Sequence, residues 1–125
     1  MSVRLRLVSL LFVVISFGAP AAGRDKISIR VSPTVSFAPA YLVVRASVPP
    51  SDENRSIEIV AESAEFYRSS QVPLDGARAP QTTQFEFRSL PGGDYNVLAV
   101  LRGAGGREIA WTTSRVNVVA AEGRR

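Results

Sequence analysis

The chain contains no cysteine and no histidine. These two absences remove a Ser-His-Asp triad, a cysteine nucleophile, any disulfide and an ordinary zinc, copper or haem site, since each needs a thiolate or an imidazole. Lysine is nearly missing as well. Lys26 is the only one, so a Ser-Lys pair would have to be built a few residues from the start of the mature chain. Tryptophan occurs once, at Trp111. With these residue types gone, no cofactor is expected and the chain reads as a protein other than an enzyme.

A long apolar span is also lacking. The run Leu7 to Phe17 covers 11 residues, which at ~1.5 Å of helical rise per residue reaches only about half of a ~30 Å hydrocarbon core. It follows Arg4 and Arg6 and precedes the small residues Gly18-Ala-Pro-Ala-Ala-Gly23. Basic, apolar and small parts in that order are what the export machinery and signal peptidase read. Residues 1–21 are therefore expected to form a signal peptide cleaved near Ala21, and the product to be secreted or periplasmic. Without cysteine it has no lipid anchor of the bacterial lipoprotein kind. The polar tail, 121–125, offers no membrane or sorting stretch, so no membrane span is expected after cleavage.

Cleavage after Ala21 leaves 104 of the 125 residues, enough for one core and no second domain. The expected domain covers 24–120. Charge is balanced: without Arg4 and Arg6 the mature chain carries 13 basic against 11 acidic residues, a net +2. The arginines are scattered singly, as on solvated strand faces, and no stripe forms that would track phosphates. Nucleic acid is not an expected partner.

Helix signals are nearly absent. Period-two alternation of β-branched and aromatic residues recurs between Pro, Gly and Asn/Asp breaks, predicting about seven strands of an antiparallel sandwich. Ile27, Ile29 and Val31 share one face of the first strand, Lys26 to Ser32. After the crossing Pro33-Thr-Val-Ser-Phe-Ala-Pro-Ala40, Leu42, Val44, Ala46 and Val48 alternate inward over 41–48. Ile57, Ile59 and Ala61 do the same in 56–62, and Phe85 and Phe87 in 82–90. Residues 65–70 and 71–74 read as two short edge strands, closed by the turn Asp75-Gly76.

The segment Leu90-Pro-Gly-Gly-Asp-Tyr-Asn-Val97 resembles the L-P-x-G-x-Y-x-V stretch before the sixth strand of immunoglobulin-like and fibronectin type III-like domains of exported proteins. The resemblance implies an Ig-like β-sandwich in which Tyr95 is a structural tyrosine corner, its hydroxyl bonded back to the backbone. It implies no particular activity. The antibody-type disulfide is absent, Val97 standing where a cysteine would be, and the third strand has Ile57 and Ile59 in place of a tryptophan.

The last hairpin turns through Gly103-Ala-Gly-Gly106, and its register decides the fate of Trp111. A four-residue loop sets Trp111 opposite Leu98 and Ile109 opposite Val100, making an apolar patch that would be a binding surface. A three-residue loop sets Trp111 opposite Ala99, inside the core. Burial of an indole favours the second register, with a bulge near Ser114-Arg115 restoring the phase of Val116 and Val118.

Three further chemistries come into view. Glu62 with Glu65, and Asp52 with Glu53, are the carboxylate pairs nearest in sequence for a glycosidase; each lies in or beside a turn and reads better as solvated charge. The loop Ser51-Asp-Glu-Asn54 is the best place for calcium, yet it lacks the dense acidic spacing of a dedicated site, and no metal is expected. Tyr41, Tyr67 and Trp111 are rings on which sugars stack. The leading expectation is a protein-interaction or structural module contacting another exported protein or a cell-envelope component through an edge strand or the patch of Leu98, Val100 and Trp111. The alternative is a carbohydrate-binding module that takes a glycan on the three aromatic residues.

Overall fold

The computed structural model describes residues 26–120. The expected signal peptide, 1–21, and the tail, 121–125, lie outside the described residues. Eight strands follow one another: β1 (Ser28–Ser32), β2 (Val35–Phe37), β3 (Ala40–Ser47), β4 (Ser56–Glu62), β5 (Tyr67–Pro73), β6 (Thr82–Leu90), β7 (Gly93–Arg102) and β8 (Glu108–Val119). The described residues contain two short 3-10 turns and no α-helix. The chain is all-β, with two sheets: β1-β3-β6, and β2-β8-β7-β4-β5.

Alternation in the sequence dictates which side of each strand is buried. Leu42, Val44 and Ala46 of β3 meet Ile57, Ile59 and Ala61 of β4 in the same interior, all of them inaccessible to solvent. Phe85 and Phe87 of β6 and Tyr95, Val97, Ala99 and Leu101 of β7 complete the layer. At roughly 1.5–3 kcal/mol for each large apolar side chain buried, this layer is what holds a disulfide-free domain together. Tyr95 is fully enclosed; its hydroxyl donates to the Pro91 carbonyl at 2.7 Å. The ring of Phe66 meets the Tyr95 ring edge-on, with centroids 6.2 Å apart.

The strand count departs from expectation at two places. The two short strands expected over 65–70 and 71–74 are one continuous strand, β5, paired with β4 without a break from Tyr67 to Pro73. The crossing between the first two expected strands holds β2, which pairs in parallel with β8. Both have the same cause. An exposed edge strand shows no one-sided alternation, and three residues between prolines are too few to show a period. Every other strand pairing is antiparallel.

The hairpin register also differs from both alternatives weighed above. Val100 stands opposite Trp111 and Leu101 opposite Ala110, and the register shift lies between Leu101 and Arg102, not near Ser114-Arg115. Ala110, Val116 and Val118 therefore share the buried parity of β8 without a second bulge.

Candidate functional site

Strand β7 is the centre of the five-stranded sheet, so its outward side chains have neighbours on both sides. Val100 stands between Glu58 of β4 and Trp111 of β8; Leu98 stands between Val60 and Thr113. Val60 and Val100 are only 8% and 5% exposed although they face away from the core. Four apolar side chains from three adjacent strands thus form one cluster on the outer face, with Trp111, 42% exposed, at its rim.

This placement corrects the expectation that Trp111 is buried opposite Ala99. The Gly103-Ala-Gly-Gly106 turn places Gly105 and Gly106 at positive φ, and the resulting register carries the indole to the outside. The face is the one the four-residue loop gave, but Trp111 meets Val100 instead of Leu98.

Charges frame the cluster. Arg102 Nη2 donates to Glu58 Oε1 at 3.1 Å, and its Nη1 donates to the Gly106 carbonyl at 3.2 Å. At the opposite end of β7 stand Asn96, Glu62 and Arg115, and Asn117 Nδ2 donates to the Asp94 carboxylate. Beyond them, at the β2 edge, Val35, Phe37 and Val119 are exposed. These last three were missed in the sequence, where only the Phe between two prolines hinted at them.

The three aromatic residues of the alternative, carbohydrate-binding reading are not brought together. Tyr41 lies on the other sheet, in β3, where the Arg88 guanidinium sits 5.2 Å from its ring centroid. Tyr67 is on β5, opposite Glu62. Strand spacings of ~4.8 Å and ~3.3 Å per residue put it roughly 20 Å from Trp111 on the same face. No single sugar spans that separation, so the rings form no common platform.

The remaining candidates resolve simply. Asn54 is buried and serves the loop itself: its side-chain Nδ2 donates to the Pro49 carbonyl at 3.0 Å, and its backbone carbonyl accepts from the Gly76 N–H at 3.1 Å. Asp52, Glu53, Glu62 and Glu65 are all exposed. A hollow of about 730 Å³ opens between Arg55, Arg102 and the loop 103–106. Its two guanidiniums are already engaged, Arg55 by the Asn54 carbonyl and Arg102 by Glu58.

No family model and no curated protein matches this chain. Solved structures do share its two-sheet fold. Superoxide reductase (neelaredoxin) from Ignicoccus hospitalis matches with a TM-score of 0.60 at 16% identity, over 74% of this chain and 80% of that one. A variant of that protein matches at 0.56 and 17%, over 78% and 82%. A family 76 glycoside hydrolase from a bovine Bacteroides thetaiotaomicron strain matches at 0.53 and 14%, over 74% of this chain and 20% of the hydrolase.

These matches overturn the expectation that the chain is not an enzyme. The architecture is one that a superoxide reductase uses, so a small sandwich is no ground for placing a chain outside catalysis; activity is set by the site a fold carries. The likeness itself is one of fold. Reducing superoxide calls for a redox-active group. This chain has neither histidine nor cysteine, and its described residues hold no cluster of three or more His, Cys, Asp or Glu, so the donors for such a centre do not fit.

Proposed function

We propose that the chain is exported and that its sandwich is an immunoglobulin-like interaction module, which meets another secreted or envelope protein through the outer face of the five-stranded sheet. The observation that carries this reading is the cross-strand cluster of Val60, Leu98, Val100 and Trp111. An outer sheet face in water is ordinarily polar along its whole length; here four neighbouring positions on three strands are apolar, with the largest ring at the rim and an ion pair beside it. Such a desolvated centre within a polar frame is how binding surfaces are built. The strand order supports the immunoglobulin-like part of the reading, since β4-β7-β8 and β1-β3-β6 follow the neighbour order of that sandwich. The Tyr95 hydroxyl bonded to the Pro91 carbonyl supports it too.

The test is site-specific photo-crosslinking in the producing cell. A crosslinking residue at position 111 is expected to give an adduct with one secreted or envelope protein. The same residue at position 45, on the exposed face of the other sheet, is expected to give none. Equal adducts at both positions, or saturable polysaccharide binding abolished by Trp111→Ala, would defeat the reading.

A further inference from the structure

We infer that β5 is a self-association edge through which two copies of this chain pair antiparallel, joining their five-stranded sheets into one. This deepens the interaction-module reading by naming a partner, but it uses an edge where that reading uses a face.

Two hydrogen bonds fix which backbone groups of β5 point outward. At one end of the β4–β5 hairpin the Ser63 N–H donates to the Phe66 carbonyl at 2.9 Å; at the other, the Leu74 N–H donates to the Arg55 carbonyl at 2.7 Å. Both β5-side residues carry even numbers, and antiparallel ladders alternate. Phe66, Arg68, Ser70, Val72 and Leu74 thus turn their backbone groups toward β4. Tyr67, Ser69, Gln71 and Pro73 turn theirs to the open edge. Proline at such an outward position costs the ladder nothing, which is where strand prolines belong.

Open edges are normally blunted by charge, brevity or bulges. The other three edges show these devices. β2 is three residues long and β1 five, with Arg30 at its centre. β6 carries Glu86 and Arg88, and its Arg88 carbonyl already accepts a bond from Arg68 Nη1 at 2.7 Å. β5 alone is seven residues long, regular throughout and uncharged on its outward positions.

The sequence of β5 is complementary to itself. A two-fold axis at Ser70 sets Tyr67 opposite Pro73, Ser69 opposite Gln71 and Arg68 opposite Val72. An aromatic ring meets a proline ring at each end, two small polar side chains meet between them, and no like charges face each other. About six intermolecular backbone bonds form. The area buried by one strand pair falls below that of a standard stable interface, so the dimer is a weak, concentration-dependent one.

Sedimentation equilibrium of the purified protein from about 10 µM to about 1 mM is expected to show a monomer–dimer equilibrium. Ser69→Pro removes an outward N–H while leaving the bonds to β4 in place, and is expected to weaken the dimer by about tenfold or more. Ser69→Lys, which leaves the backbone unaltered, is expected to do the same if the proline variant fails to fold. Ser70 pairs with its own copy at a non-hydrogen-bonded position, where Cα atoms are ~4.5 Å apart. In this cysteine-free chain Ser70→Cys is therefore expected to oxidise rapidly to a covalent dimer, and Ser32→Cys is not. A monomer throughout the range, an association constant unchanged by Ser69→Lys, or equal oxidation at 32 and 70 would overturn the inference. Any of these would leave the crosslinking result at position 111 unaffected.

Discussion

The Arg68 guanidinium reaches across the open side of the sandwich and donates to the backbone carbonyl of Arg88 at 2.7 Å. One residue belongs to β5 and the other to β6, the last strands of the two sheets on that side, so a single side chain ties the sheet margins together. The same guanidinium lies 5.0 Å from the Phe66 ring centroid, and Phe66 leans on Tyr95. Arg88 in turn covers Tyr41. No disulfide stabilises this cysteine-free domain, and Arg68 is where its otherwise open margin is closed.

Arg68→Ala removes both the carbonyl bond and the cover over Phe66. The expected loss is about 1 kcal/mol, in the range of one hydrogen bond with a weak cation–π contact. Urea unfolding checks it, with an unchanged denaturant slope marking a change of stability and not of compactness. Arg78→Ala is the control. Its ion pair with Asp75 is 3.8 Å long and exposed on both sides, so stability should stay within about 0.5 kcal/mol.

Arg68 also shows how far the sequence could be read. Where one side of a strand is buried, alternation is visible in the residues themselves: Ile57 and Ile59, or Phe85 and Phe87, locate both the strand and its inner face, and both are inward in the structure. Where neither side is buried the signal fails, as in Ser69-Ser70-Gln71, and a bridge such as Arg68 to Arg88 joins residues 20 apart with no local mark. The patch was legible only in part, for another reason. Leu98 and Val100 were legible as apolar on the outward side of β7, but which residue of β8 stands beside each depends on the hairpin register, which the length of a Gly-rich turn does not by itself fix. The structure settles on Val100 with Trp111, one step beyond either register that loop length suggested.

Tyr95→Phe tests the corner at the start of β7. The ring keeps its place in the core, but the Pro91 carbonyl loses its 2.7 Å donor. The expected cost is about 1–2 kcal/mol, measured by thermal or urea unfolding. A cost near zero would mean that water takes over the carbonyl and that the corner is held by ring packing alone.

Gly92 sits where two segments of backbone come close. A β-carbon added there would lie 2.6 Å from the Ala120 Cα, and backbone cannot rotate aside as a side chain can. Gly92→Ala is expected to destabilise by about 1–3 kcal/mol, as overpacking does. Gly105→Ala puts its methyl into open space but at a φ of +70°, so its cost should come from backbone strain, about 1 kcal/mol. The pair separates steric from conformational demands on glycine within one small domain.

The largest contrast is expected between Trp111 and Ile59. Ile59 is wholly enclosed, so Ile59→Ala leaves a cavity between the sheets and should cost about 2–5 kcal/mol. Trp111 is the bulkier side chain but lies 42% exposed on the outer face, and Trp111→Ala should cost about 1 kcal/mol or less. The indole should also emit at longer wavelength than a buried one and be quenched by acrylamide in the folded protein. Trp111→Ala proving as damaging as Ile59→Ala, together with blue-shifted emission that resists quenching, would return the indole to the interior. The outer-face cluster would then lose its rim, and with it the surface on which the proposed contact with a second protein depends.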